Sequence, residues 1–323
     1  MNMFARFALL LACTFSSITP LAAQTWPDRP IRFIVSQAAG GTPDIICRLI
    51  TERIGRALGQ QSVVENRPGG GNVIGAQTAA RAAPDGYTFF WATAAALVTN
   101  PYTFKSLPYD PARDFVLVGR VADGPFLVLA NPAVPAKSLA ELFAYAKAEP
   151  GKLAFATDGP KNFTGLIAAW LNKRAGTDIA QVPYAAMPQG IQDVVAGRVQ
   201  LVILAIPSAA PLIASGALRP LAITTKDRAP GFEQVPPVAD TFPGFDFSGW
   251  MAVAAPTGTP PEILARMNQE LAQVLADPAI IQRLREIGFY THGAGSLPEG
   301  AAYVQAQYKA WGEVIREIGV TPD

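Results

Sequence analysis

Histidine is nearly missing from this 323-residue chain: His292, in the glycine-flanked loop "THGAGS", is the only one. A Ser-His-Asp or Cys-His nucleophile set would have to be built around that residue, and metal sites of the His/Cys type lack their ligands. Cysteine is as scarce, with only Cys13 and Cys47. Excess charge is absent too, at 26 basic against 25 acidic side chains, which gives no support for nucleic acid or an anionic membrane as partner. Beyond the N-terminus no run is long and apolar enough to cross a bilayer. The chain carries no G-x-x-x-x-G-K-[ST] and no G-x-S-x-G, and the triple glycine of "ENRPGGGNVIGAQ" fails G-x-G-x-x-G because residue 74 is Ile, so nucleotide binding has no motif behind it.

What is present begins with Met1–Arg6, the apolar stretch Phe7–Phe15 and a break ending in Leu21-Ala22-Ala23. This reads as a secretory signal peptide, residues 1–23, cleaved after Ala23. The rival lipoprotein reading, with Cys13 as the lipidated residue, would leave an apolar core shorter than the roughly 7–15 residues of exported proteins. Cleavage removes Arg6 alone among charged residues, leaving 25 basic and 25 acidic side chains. Cys47 is then the sole cysteine, so no internal disulfide forms and packing alone must stabilise the fold. Its spacing among Ile45, Ile46, Leu49 and Ile50 reads as a small buried hydrophobe.

The remaining chain alternates. Short β-rich runs at 31–35, 62–65, 87–91, 115–118, 126–130, 153–156, 179–182, 199–204, 218–223 and 250–254 are separated by helical spacing or Gly/Pro turns, the pattern of α/β units. From Pro260 onward, Ile263, Met267, Leu271, Val274 and Leu275 recur at helical intervals until Asp277-Pro278. Trp311, Val314, Ile315 and Ile318 make a second apolar stripe in the last helix, a docking surface for a domain core. Residues 230–245 hold six Pro or Gly in sixteen, too many for a continuous element. With a second crossover at 120–125, the chain reads as two domains with a cleft between them: 24–124 plus 250–323, and an inserted 125–249.

The stretch "SQAAGGTPDIICRLI", 36–50, has the outline of a strand, a glycine turn and a helix, and such a helix N-terminus presents unpaired N–H groups to an anion. Thr42 is expected as N-cap, Pro43 as first helical residue and Asp44 in the first turn. Asn66–Gly71 reads as a turn before a helix capped by Asn72. Paired carboxylates, Asp158 with Asp44 or Asp193, stay open as an acid–base device, and Lys161 would be a reactive amine only if desolvated. Most of the five tryptophans read as core.

The ordered words "RPIRFIVSQAAGGTPDIICRLI", "GQQSVVENRPGGGNVIGAQTAARAAPDGYTFFWAT", "NPYTFKSLPYDPARDF", "VPAKSLAELFAYAKAEPGKLAFATDGP", "VPYAAMPQGIQDVVAGRVQ" and "RPLAITTKDRAPGFEQVPPVADTFPGF" resemble, over essentially the whole mature chain, the Bug family of periplasmic solute receptors. These are the substrate-binding components of tripartite tricarboxylate transporters. The resemblance implies an α/β two-domain periplasmic-binding-protein clamshell, each domain a mostly parallel sheet flanked by helices. It also implies no catalysis, no cofactor and no metal, and a small organic carboxylate in the cleft. The expected partners are the transporter's membrane subunits, the location is the periplasm, and the receptor is a monomer. A sensory receptor signalling to a membrane kinase, or an enzyme on the same scaffold, is the alternative.

Carried over by position, the family's first turn falls on Ser36, Gln37, Ala38, Gly40, Gly41 and Thr42, where Gly40, Gly41 and Asp44 match and Ser36–Ala39 depart. The third-strand turn falls on Thr93 and Ala94. The second-domain word A-S-A-G-x-G-[ST]-x-x-H-L falls on "ATDGPKNFTGL", bringing Asp158, Lys161, Asn162 and Thr164 into the site, with Gly165 where His is common. V-P-Y-K-G becomes Val182–Ala186, contributing Tyr184 without its Lys, and a polar pair becomes Leu204-Ala205. Losing these polar groups points to a monocarboxylate with an apolar or aromatic body rather than a citrate-like polyacid. A ligand ammonium facing Asp158 is the competing reading.

Overall fold

A computed structural model describes residues 26–184 and 187–322. The expected signal peptide, Cys13, Ala185 and Ala186 lie outside the described residues.

Ten strands form two five-stranded sheets. The first contains β1 (Ile31–Val35), β2 (Ser62–Asn66), β3 (Thr88–Thr93), β4 (Phe115–Gly124) and β10 (Gly249–Pro256), in the order β2-β1-β3-β10-β4. The second contains β5 (Phe126–Ala130), β6 (Ala154–Thr157), β7 (Ala180–Pro183), β8 (Leu201–Ala205) and β9 (Arg219–Ile223), in the order β7-β6-β8-β5-β9. The two five-stranded α/β sheets are those the alternating pattern implies. Each sheet is mixed, however. β1 runs parallel to β2 and β3, and β6 to β7 and β8, whereas β10 is antiparallel to both its neighbours and β5 to both of its own. The antiparallel strands carry the chain between sheets: β4 passes into β5 across Pro125, and β10 returns beside β4 with Gly249 opposite Gly124.

Strands β3, β5, β8 and β10 are buried along almost their whole length, as sheets covered by helices require, while the edge strands β2 and β7 are only partly covered. Ile46, Cys47, Ile50 and Ile54, on one face of helix Thr42–Leu58, pack with Phe33, Phe89 and Trp91. Cys47 is the buried hydrophobe its spacing implies, and burial pushes its thiol far above the ordinary range. Helix Pro261–Ala276 buries Met267 and Leu271 on the same side. The last helix, Leu297–Ile318, opens with a capping box between Ser296 and Glu299, two donors satisfied reciprocally.

That helix also joins the two sheets. Trp311 is fully buried, and its ring lies 5.4 Å from Phe163 and 4.5 Å from Phe247. Phe163 in turn meets Phe126 of β5 at 4.6 Å. Farther along, Glu317 accepts from the Trp170 indole at 3.2 Å and pairs with Arg174 at 2.8 Å. The stripe read as a docking surface thus lies in a core containing residues of both sheets.

Candidate functional site

In α/β sheets ligands bind beyond the carboxyl ends of the parallel strands. Here those ends lead to the crossing between sheets. β3 ends at Thr93, opposite Met251, which in turn faces Ala122 on β4. β8 ends at Ala205, opposite Phe126, just past the crossing. β1 and β6 lie next to β3 and β8 in their sheets, so the turns after all four strands are on the crossing side. Direct contact ties the halves together there: a Cβ on Gly288 would come within 2.8 Å of Ile206, the first residue of helix Ile206–Ala214.

The helices leaving these four strands share a property. The N-termini of Thr42–Leu58, the π-turn Ala95–Thr99, Phe163–Ala175 and Ile206–Ala214 have no capping hydrogen bond from their N-cap side chains, Gly41, Ala94, Asn162 and Ala205. Elsewhere Asp110, Ser138, Asp277 and Ser296 do cap their helices, whereas Asn72, Thr99 and Pro260 do not. An uncapped N-terminus keeps orphan N–H groups and the positive end of the dipole available to an anion. Thr42 is therefore not the N-cap. Gly41 holds that place, Thr42 is the first helical residue, and Pro43 follows, adding no N–H.

The first turn is built around Asp44 and Asn66. Asp44 is buried; its carboxylate accepts from the Gly40 N–H at 2.9 Å, from Arg48 at 3.0 Å and from Asn66 at 3.0 Å. Burial works to raise this carboxyl, but those hydrogen bonds and the Arg48 charge outweigh it, so Asp44 titrates below its ordinary range. Gly40, with φ +80°, makes the bend that brings its N–H onto Asp44, a conformation open to glycine. Asn66 also donates to the Gln37 carbonyl at 3.0 Å, while the Gln37 amide donates to Asn72 Oδ1 at 2.6 Å. Asn72 does not cap its helix; it sits at φ 77° with its side chain turned to Gln37. Ala38 is exposed on the turn.

Three buried polar atoms here have no partner within the protein: Ser36 Oγ, Gln37 Oε1 and Thr93 Oγ1. Ser36 is covered by Gly75, where a Cβ would approach its backbone to 2.7 Å. Buried polar groups are almost always hydrogen-bonded. Two hydroxyls, which can donate, and one amide oxygen, which only accepts, at the ends of β1 and β3 mark a place where water or ligand completes the bonding.

The second turn is built differently. Thr164, in the first turn of helix Phe163–Ala175, accepts from the Asp158 N–H at 3.1 Å and donates its hydroxyl to the Asp158 carboxylate. Asn162 is exposed and donates to the Asp158 carbonyl at 2.6 Å. Lys161 lies half-buried on the same turn. Burial pushes the Asp158 carboxyl up; the Thr164 hydroxyl and the N–H groups of Thr164 and Gly165 oppose this without reversing it. Gly165 is required because a Cβ would sit 2.0 Å from the Gly159 carbonyl oxygen. Its place where His is common thus reflects a turn folded down onto the helix.

Tyr184 follows β7 and its N–H donates to Thr157 at 2.9 Å, so it joins this group; its hydroxyl, however, is held by Asp193 at 2.8 Å. Asp193 also pairs with Arg198. Asp44, Asp158 and Asp193 are thus engaged by separate local partners and form no acid–base pair. Sequence reasoning missed Asn66 and Asn72 as supports of the first turn. The sole available signal was their position at either end of the glycine-rich turn.

A separate crevice of about 630 Å³ lies beside the outer strands β4 and β9 and includes none of the expected site residues. Asp123, His292 and Ser248 line it. His292 Nε2 is 3.4 Å from Asp123, but its side chain is 68% exposed. Among the described residues no cluster suited to a metal ion occurs, and no helix is long and apolar enough to cross a membrane.

Comparison with known proteins is consistent over the whole chain. Residues 46–320 match the model of the tripartite tricarboxylate transporter family receptor. BugT of Bordetella pertussis is 33% identical over 323 residues, covering 99% of both chains. Among solved structures, R. palustris Rpa4515 with adipate has 34% identity and a TM-score of 0.82, covering 92% of this chain and 100% of its own. MatC from Rhodopseudomonas palustris, with bound malate, has 29% identity and a TM-score of 0.77, covering 90% and 100%.

Proposed function

The chain belongs to the tripartite tricarboxylate transporter receptor family, as a Bug-type solute-binding receptor, and from that premise we propose that it binds a small organic monocarboxylate with an apolar or aromatic body and delivers it to the membrane subunits of such a transporter. In this reading residues 1–23 direct export to the periplasm and are removed. Residues 24–124 with 250–323 form one lobe, and 125–249 the other.

The observation that carries the proposal is the first turn. The Ser36 and Thr93 hydroxyls, which can donate to a carboxylate, are unpaired beside the uncapped helix N-termini at Gly41 and Ala94, and Gln37 Oε1 next to them can accept from a ligand hydroxyl or a bridging water. Helix N-termini and exposed N–H groups hold a carboxylate for the reason they hold phosphate. Ala38 and Ala94, at the turns after β1 and β3, and Ala205, at the end of β8, carry methyl groups in place of polar side chains, which in this reading suits an apolar ligand body. Relatives solved with adipate and malate support the carboxylate class.

The role is binding without turnover. The only histidine lies in the outer crevice, exposed to solvent, and the carboxylates near the turns are held by structural partners. The test is thermal denaturation of the mature chain with a panel of carboxylates. A ligand at a hundred times its Kd adds about 2.7 kcal/mol to the folded state, so the melting temperature rises with benzoate-like or alkyl monocarboxylates and no product appears. Tight binding of citrate with none of the monocarboxylates would overturn the proposal.

A further inference from the structure

The turn after β6 already contains an anion. Asp158 follows Thr157, the last residue of that strand, and its carboxylate is held by the Thr164 hydroxyl where the N–H groups of Thr164 and Gly165 favour its charge. Those two N–H groups belong to the first turn of helix Phe163–Ala175, whose N-cap side chain gives no capping bond. The bonds fixing the carboxylate are reinforced by the turn itself. Asp158 donates its own N–H back to Thr164, Asn162 holds the Asp158 carbonyl, and Gly165 lets the Gly159 carbonyl close over the helix end.

We propose that Asp158 is a built-in anion filling the second lobe's helix N-terminus, so that the cleft accepts one ligand carboxylate, at the Ser36–Thr42 turn, and rejects a second. The inference rests on the carboxylate-receptor reading above and names the feature that sets its selectivity. A dicarboxylate spanning the cleft would bring its distal charge toward a half-buried carboxylate already held by the Thr164 hydroxyl at the helix start. In a partly desolvated cleft, like charges repel appreciably across the length of a small ligand. The upward push on the Asp158 carboxyl shows that this environment is already short of stabilisation for one negative charge, and Lys161 on the same turn is the nearest basic residue in sequence.

Calorimetric titration at neutral pH with matched ligands tests this: hexanoate against adipate, and benzoate against terephthalate, each pair differing by one carboxylate, with 6-aminohexanoate placing a cation at the distal end. The wild-type chain is expected to favour the monocarboxylate of a pair by about ten- to a hundredfold. Asp158→Asn keeps an acceptor for the helix while removing the charge, and should shrink that ratio about tenfold or more. Wild-type binding of adipate or terephthalate as tight as that of the monocarboxylate overturns the inference while leaving the receptor reading intact. So does a ratio unchanged in Asp158→Asn. Preference for 6-aminohexanoate over hexanoate, lost in Asp158→Asn, retains the built-in anion and overturns the apolar ligand body. Binding of no carboxylate at all overturns the receptor reading and this inference with it.

Discussion

Each sheet carries the same device, a parallel strand, a glycine-containing turn and a helix, after β1 in the first and after β6 in the second, and the two complete it in opposite ways. In the first, Asp44 lies within the helix and turns to Arg48, Asn66 and the Gly40 N–H, while unpaired polar atoms remain at Ser36, Gln37 and Thr93. In the second, Asp158 lies ahead of the helix and sits against its first turn. Their electrostatics diverge accordingly: Asp44 titrates low because an arginine and two further donors outweigh its burial, whereas Asp158 titrates high because burial outweighs its donors. A helix N-terminus attracts an anion in either case. Whether the protein or the ligand supplies it depends on which side of the helix start the acidic residue falls.

The sharpest test of this contrast is at the glycines. Gly165→Ala would place a methyl carbon 2.0 Å from the Gly159 oxygen, so the second turn must unfold from its helix. A loss of about 3 kcal/mol is expected, seen as a lower denaturation midpoint. Gly41→Ala meets the Ala38 oxygen at 3.2 Å, and its φ of −72° suits alanine. It should leave stability nearly unchanged; equal losses at the two sites would erase the distinction.

Next comes Asp44→Asn, which removes the charge pairing with Arg48 and weakens the support of Gly40. About 1–2 kcal/mol should be lost in chemical denaturation at neutral pH. Asp158→Asn should do the reverse and match or exceed the wild-type stability there, because it removes a charge that burial disfavours.

The pH dependence separates the two aspartates with smaller effects. Asp44, with its lowered folded value, stabilises above its unfolded value, and that contribution is lost as pH falls through the folded one. Asp158, with its raised value, contributes stability present at pH below its unfolded value and lost as pH rises through the folded one. Melting curves from acid to neutral pH should therefore rise more steeply in Asp158→Asn than in the wild type and less steeply in Asp44→Asn. Identical slopes would refute the assignment.

The smallest effect on stability is expected at Gln37→Ala, within about 0.5 kcal/mol, since the residue sits on a half-buried turn. Ligand affinity should nevertheless fall about three- to tenfold. Unchanged affinity would displace the proposed pocket from the first turn.

Much of this arrangement was legible in the residues. Glycine and proline punctuation located nine of the ten strands to within two positions, while β4 runs six residues past its expected end at 118. The "AAGGTPD" turn pointed to an anion site, and the single histidine left little material for catalysis. The sequence words also identified the family. Strand direction was less accessible: β5 and β10 read like their neighbours, and their antiparallel course follows from crossing between sheets. The Gln37–Asn72 and Gln37–Asn66 bonds, linking turns far apart in sequence, left no local pattern to find.

Composition and periodicity by themselves determined an α/β fold with buried central strands, a terminal helix carrying an apolar stripe and glycine turns at helix starts, because each of these follows from local sterics and hydrophobic spacing. Tertiary structure alone decided that Trp311 would join the two halves, that Asp44 would turn to Arg48, and that Asp158 would close the second helix. Hydrogen bonds and burial act between groups the chain brings together only on folding, and they fix whether a carboxylate is structural support, an internal counter-charge or a gap left for a ligand.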